Sequence, residues 1–167
     1  QAMSTEVSVR QLLDEARSQL GQKSLEPRVR QSVQRSLGRL YNALGDSESA
    51  VALYAAGLKD IQPANRDEAL ALADDLVGYS SALTALEEAK ISLETARQAA
   101  ALRTRFAPND PTQQFLALSH ISYGHYADYG VDACIEQVKR ALAISDTHPG
   151  VPSAAVLDAY STLSGLH

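Results

Sequence analysis

The sequence is short of several features that would point to a particular class of protein. Its single cysteine excludes an internal disulfide. No apolar run approaches the ~20 residues of a membrane-spanning helix. A net charge of −5, with both signs interspersed, gives no support for nucleic-acid binding. We therefore expect a soluble segment without direct membrane insertion, either cytoplasmic or the extracytoplasmic part of a membrane-anchored parent.

Residues that favour strands are also scarce. The chain holds 10 Val and 5 Ile against 27 Ala and 22 Leu. Alanine and leucine are strong helix formers, whereas valine and isoleucine prefer strands. The composition predicts an all-α protein.

The motifs of catalysis and metal binding are missing as well. The histidines at 120, 125, 148 and 167 do not form an HExxH motif, and no paired cysteines or glycine-rich phosphate loop are present. Cys134 falls at a small-residue position of the pattern described below, which favours a packed thiol over a nucleophile. We expect no enzyme activity, no catalytic residue, no metal site and no cofactor.

Prolines divide the chain into helical stretches. They lie at 27, 63, 108, 111, 149 and 152, and each is expected at a helix boundary because proline interrupts the backbone hydrogen bonds. Apolar periodicity between them predicts eight helices. The predicted helices are 7–20, 28–44, 47–61, 66–85, 88–106, 112–128, 131–145 and 153–166.

Small residues recur along the chain at an interval of 42 residues. The three series are Gly38, Ser80 and Ser122; Ala50, Ser92 and Cys134; Gly57, Ala99 and Ala141. Small side chains let two helix backbones approach closely, while larger neighbours fill the grooves between them. The recurrence predicts three helix pairs stacked on one another, each burying an apolar face of its neighbour.

The first copy carries a more specific pattern. It reads Leu37-Gly38-x-x-Tyr41, then Ala50, Tyr54, Gly57-Leu58 and Pro63. This order resembles the tetratricopeptide repeat signature. It departs from that signature in Gln34, in a proline one residue late, and in a period longer than the usual ~34 residues. The resemblance covers about residues 28–166 and implies a right-handed superhelical solenoid.

The resemblance also implies how the chain is divided. We expect a lead-in helix in 1–27, three tetratricopeptide-like pairs in 28–152 (28–63, 66–108 and 112–148), and a terminal helix in 153–167 that starts a fourth repeat. Val156, Tyr160 and Leu163 form an apolar stripe on that last helix, which lacks a following neighbour. The lead-in is similar to the entry into repeats that follow kinase or winged-helix domains in bacterial signalling proteins. We therefore expect a segment of a larger protein.

In proteins of this family the first helix of each pair lines a concave groove. Carried over residue by residue, the resemblance implies a peptide-binding groove in three sets. The sets are Ser32, Arg35, Arg39 and Asn42; Asp74, Val77, Ser81 and Thr84; Leu116, Ser119, Tyr123 and Tyr126. A groove with arginines at one end and tyrosines at the other predicts a peptide ligand of acidic and apolar character.

Two functions remain open on the sequence alone. The first is a non-catalytic protein- or peptide-binding module, a scaffold with protein–protein interaction as its role. The second is a structural segment that self-associates, forming a homodimer through the ends of the solenoid. Ordinary solvated arginines and space-filling tyrosines would explain the groove residues equally well.

Overall fold

The computed structural model describes residues 8–22 and 24–165, apart from the side chains of 122–129. All the ordered elements in this part of the chain are helices, which confirms the all-α prediction. They are α1 (Val9–Gln22), α2 (Pro27–Ala43), α3 (Ser47–Gly57), α4 (Arg66–Ala85), α5 (Ala89–Phe106), α6 (Pro111–Thr147) and α7 (Ser153–Gly165). None of these helices is long and apolar enough to cross a membrane.

Helix α6 is interrupted at Gly130. This residue has φ 83° and ψ 176°, a conformation that only glycine adopts without strain. The interruption divides α6 into two helical segments and brings their number along the described chain to eight. The predicted boundary between 112–128 and 131–145 falls at this glycine.

Short polar side chains fix the starts of several helices. Asp46 accepts a hydrogen bond from the backbone N–H of Ser49, Asn65 from that of Glu68, and Asp110 from that of Gln113. These contacts satisfy N–H groups that have no partner within the helix. At α6 the cap is Asp110, directly before the proline that begins the helix.

The helices pack mainly against their neighbours in chain order, from α1 against α2 through to α6 against α7. The further substantial contact joins α2 to α4. Two larger apolar clusters result. One joins α1, α2, α3 and α4 around Tyr41 and Tyr54, and the other joins α6 and α7 around Phe115 and Val138.

Tyr54 of α3 is fully buried between two glycines of other helices. A Cβ on Gly38 of α2 would lie 3.2 Å from the Tyr54 ring, and one on Gly78 of α4 would lie 2.3 Å from its hydroxyl oxygen. The third glycine of this region, Gly57, is equally constrained, because its Cβ would lie 3.0 Å from the backbone oxygen of Gln31. Small residues therefore set the close approach of α2, α3 and α4.

Most of the recurring small positions are buried in the second and third copies too, although Ser80 is half-buried and the side chain of Ser122 lies outside the described ones. Ala99, Cys134 and Ala141 have at most 1% of their surface exposed. The second copy has Ser80 and Ser92 in place of Gly38 and Ala50. Their hydroxyls lie 2.9 Å apart, and each also donates to the other residue's carbonyl, which joins α4 to α5.

The last helix was expected to leave its apolar stripe without a covering neighbour, and this expectation is wrong for two of the three stripe residues. Val156 and Leu163 pack partly buried against the cluster around Phe115 and Val138. Tyr160 is 51% exposed, and Leu157 beside it is 65% exposed. The uncovered apolar face of α7 therefore consists of Leu157 and Tyr160.

The position of Tyr54 yields the first prediction. Replacing Gly78 with alanine should lower the free energy of unfolding by about 1–3 kcal/mol, because the added methyl collides with the Tyr54 hydroxyl. Combining Gly78→Ala with Tyr54→Phe removes that hydroxyl, so the pair should cost less than the sum of the single changes. Urea denaturation measures all three.

Gly21 of α1 provides the matched control, because a Cβ there meets nothing within 4 Å. Gly21→Ala should be neutral, or stabilising by up to ~1 kcal/mol through helix propensity. A Gly78→Ala protein as stable as Gly21→Ala would contradict the assignment of Gly78 to the close contact.

Candidate functional site

Arg35, one of the predicted groove residues, is held by contacts within the chain. Its Nε lies 2.8 Å from Oδ2 of Asp75, and one Nη donates to the carbonyl of Gly57 at 3.1 Å. Its side chain also occupies the space that a Cβ on Gly57 would need. Arg35 thus joins α2 to α3 and α4, and much of its surface is covered.

Arg39 is more available, with 60% of its side chain exposed. Its Nε lies 3.6 Å from Oδ1 of Asp75, which is an ion pair too long for a hydrogen bond. Asp75 is itself 5% exposed, and burial raises the pKa of its carboxyl although Arg39 and Arg35 act in the opposite direction. The anion between these two arginines is therefore Asp75 of the same chain.

The structure distributes the other predicted groove residues over different contacts. Asn42 donates to the carbonyl of Gly78 at 3.4 Å. Asp74 accepts from Nη2 of Arg103 at 2.6 Å. Tyr123 and Tyr126 lie outside the described side chains, so their place in the groove stays a prediction.

Arg103 is a buried cation that sequence reasoning missed. It is 2% exposed and donates to Asp74 of α4 and to the side-chain oxygen of Gln113 on α6. Basic residues are common in the last turn of a helix, so the position of Arg103 at the end of α5 does not by itself indicate burial. Arg103 follows the buried Ala99 by four residues, so the two lie one above the other on the same face of α5. This spacing is the signal that could have indicated the burial of Arg103.

Four of the remaining predicted positions come together at a cavity of about 520 Å³. The other two do not, because Ser32 is exposed on α2 and Leu116 packs against the cluster around Phe115 and Val138. We call the cavity the α4–α7 pocket, because residues of α4, α5, α6 and α7 line it. Its apolar wall consists of Val77, Ala85, Ala96, Ala155 and Ala159. Its hydroxyl-bearing residues are Ser80, Ser81, Thr84, Ser119 and Thr162. Val77, Ser81, Thr84 and Ser119 were assigned to the concave groove from the sequence.

His120 and Asp158 complete the lining. Burial, assisted by the nearby Arg103 charge, lowers the pKa of His120 from 6.5 to about 4, although Asp74 and Asp158 act in the opposite direction. The imidazole is therefore neutral near pH 7. Neither residue was predicted as a site residue, since His120 falls one position beyond Ser119 and Asp158 belongs to the terminal helix.

Serine, histidine and aspartate in one pocket raise the question of a catalytic triad. In a triad the histidine Nδ1–H donates to the carboxylate, which orients the ring toward the nucleophile. Nδ1 of His120 is buried and has no hydrogen-bond partner in the described part of the chain. A base with a pKa of about 4 is also poorly matched to proton abstraction near neutrality. The arrangement lacks the geometry of an activated nucleophile.

Metal ligation was also tested on the geometry. Among the described side chains, those of 8–22, 24–121 and 130–165, no three or more His, Cys, Asp or Glu are grouped to hold a metal ion. Cys134, the residue with the softest ligand atom, is buried, and burial raises the pKa of its thiol.

Burial of His120 yields the second prediction. The unfolded chain binds a proton near pH 6.5, whereas the folded chain does not until about pH 4. The stability contributed by neutral His120 is therefore present above pH 6.5 and is lost as the pH falls from 6.5 to 4. Between about pH 7 and about pH 4.5, His120→Gln should lose about 2 kcal/mol less free energy of unfolding than the wild type.

Urea denaturation of both proteins at the two pH values measures this difference. His148→Gln, at an exposed histidine that follows α6, controls for the loss of a histidine from the chain. Identical acid losses in the wild type and His120→Gln would show that His120 is not held neutral by the fold.

Comparisons of the chain with protein-family models, with curated proteins and with solved structures gave no match. The resemblance to tetratricopeptide repeats therefore stays a prediction from the residues quoted from the sequence. The function has to be argued from the pocket and the surfaces that surround it.

Proposed function

We propose that the chain is a non-catalytic protein- or peptide-binding module. The observation that carries the proposal is the α4–α7 pocket. Four positions assigned to a concave groove by the sequence resemblance lie together in its lining. A concave, mostly apolar site with a few polar groups is the usual form of a binding site.

We further propose that the helix pairs form a right-handed solenoid of tetratricopeptide-like repeats. Contacts between helices that follow one another in the chain support this architecture, as does the burial of the recurring small positions. Such repeats create extended concave surfaces. A place within a larger bacterial signalling protein rests on the sequence resemblance alone.

The pocket favours binding over catalysis because of His120. Its Nδ1 has no carboxylate partner among the described residues, and its neutral ring is a poor general base at physiological pH. The hydroxyls of Ser80 and Thr84 already donate to backbone carbonyls, which leaves them unactivated as nucleophiles. The side chains are thus arranged to hold a ligand rather than to transfer its protons.

A displayed peptide library tests the binding function and gives the third prediction. Peptides selected by the wild type should bind to Ser81→Trp at least ~10-fold more weakly. Residue 81 is exposed at the pocket, and its indole would fill the cavity of about 520 Å³. Ser18→Trp, on the exposed face of α1, should bind the same peptides as the wild type does. Equal binding by Ser81→Trp and wild type would refute the pocket as the peptide site.

Self-association is a second candidate function, and the outer face of α7 favours it. Leu157 and Tyr160 lie three residues apart and are more than half exposed. Neighbouring exposed apolar side chains on a helix face can pair with another copy.

The fourth prediction tests this candidate. If α7 mediates pairing, the wild type should gain mass with concentration in light scattering, and Leu157→Glu should remain monomeric because the charge cannot be buried. Val29→Glu, at an exposed apolar residue of α2, should still pair. The charge is introduced at Leu157 and not at Leu163, because Leu163 packs against the cluster around Phe115 and Val138. A wild type that stays monomeric throughout the series would rule out pairing through this face.

A further inference from the structure

We propose that the α4–α7 pocket accepts the side chain of a lysine or an arginine from a bound peptide, an inference that rests on the proposed binding function. Its charge balance is the first reason. Asp158 is the one residue of formal charge among the described residues that line the pocket, and His120 is neutral near pH 7. A cationic group would be attracted by this carboxylate, whereas an anionic group would be repelled.

Arg103 does not reverse this balance. Its guanidinium is buried in an ion pair with Asp74 and also donates to Gln113. It does not belong to the pocket lining. The Asp74 carboxylate opposes the Arg103 charge at the pocket, and Asp158 acts in the same direction as Asp74.

The hydroxyls supply the second reason, because most of their protons are already used. Ser80 donates to the carbonyl of Ser92, Thr84 to that of Ser80, Ser119 to that of Leu116 and Thr162 to that of Asp158. A hydroxyl has one proton to donate and two lone pairs that accept. These four groups therefore present acceptors, which match the donors of an ammonium or guanidinium group and not a carboxylate.

The apolar wall explains why the cation should be carried on a long side chain. Val77, Ala96 and Ala155 are among the residues that would contact the methylene groups of a lysine or arginine. Such side chains bury their stems against apolar surface while the charged end stays in polar surroundings. A cavity of about 520 Å³ is large enough for one such side chain.

This ligand differs from the acidic peptide expected from the sequence. That expectation depended on Arg35 and Arg39 acting together on a ligand anion. Asp75 already lies against both of them. The charged residue of the described pocket lining is the acid Asp158, so the ligand charge that the pocket favours has the opposite sign.

Three blocked pentapeptides test the inference, with two alanines on each side of a central lysine, norleucine or glutamate. Norleucine keeps the apolar stem of lysine and removes the charge. In titrations followed by amide chemical shifts, the lysine peptide should shift the amide signals of Ser81, Thr84 and Ser119. It should bind about five-fold more tightly than the norleucine peptide, as expected of a partly exposed ion pair, and the glutamate peptide should bind most weakly.

Asp158→Asn should abolish the advantage of lysine over norleucine. Asp146→Asn, at an exposed aspartate of α6 outside the pocket, should preserve it. A fourth titration with n-butylamine separates a peptide side chain from a free amine. If butylamine binds as tightly as the lysine peptide, the pocket recognises amines without a peptide and the inference is overturned.

The remaining outcomes separate this inference from the binding function. Equal affinities for the three peptides at the pocket, or an unchanged preference in Asp158→Asn, would overturn the preference for basic side chains and leave the binding function in place. Shifts that fall outside the pocket would overturn the inference as well. Failure of Ser81→Trp to weaken library peptides would remove the binding function itself.

Discussion

The contact of Tyr54 with Gly38 and Gly78 is the constraint on which the packing of the first four helices depends. One side chain of α3 lies against α2 through its ring and against α4 through its hydroxyl. Burial, with the Asp75 charge as a lesser cause, raises the pKa of Tyr54 to about 12, so the phenol stays neutral at physiological pH. Any side chain added at either glycine would displace the tyrosine, because close-packed interiors leave no room for an extra methyl group. The side chain of Tyr54, together with the lack of a side chain at Gly38 and Gly78, therefore sets the spacing of α2, α3 and α4.

Helix α4 is also the centre of the polar contacts. Asp74 and Asp75 are adjacent in sequence, and the 100° turn between successive helical residues directs them to different neighbours. Asp75 meets Arg35 of α2, and Asp74 meets Arg103 of α5. Removing one member of a buried pair leaves an uncompensated charge, which costs more than the pair contributes. These pairs disfavour other arrangements of the helices more than they add to stability.

The sequence predicted the helices well and their polar contacts poorly. Capping residues and prolines are local signals, so the predicted boundaries lie within a few residues of those observed. The recurrence of small residues identified Gly38 and Gly57, because close helix packing requires small side chains at a regular interval. Gly78 was not recognised, since it contacts Tyr54 from outside that interval. The partner of Arg35 could not be predicted, because periodicity assigns a residue to a face and does not identify the side chain opposite.

The same limit applies to the candidate site. The family resemblance placed Val77, Ser81, Thr84 and Ser119 in one groove, and these residues do line one pocket. His120 and Asp158 depend on how α6 and α7 approach α4, which no local pattern encodes. The arginines at 35 and 39 were assigned to a ligand because a sequence shows a charge without showing what neutralises it.

The second copy of the repeat connects the packing of the helices to the chemistry of the pocket. Gly38 and Ala50 of the first copy are replaced there by Ser80 and Ser92, and each serine hydroxyl donates to the carbonyl of the other residue, which joins α4 to α5. This contact uses the proton of Ser80, and the hydroxyl of Thr84 lies 2.7 Å from that of Ser92. The hydrogen bonds that hold α4 against α5 thereby turn the adjoining wall of the pocket into a set of acceptors. The proposed preference for donor groups thus depends on the way in which these two helices pack as well as on the charge of Asp158.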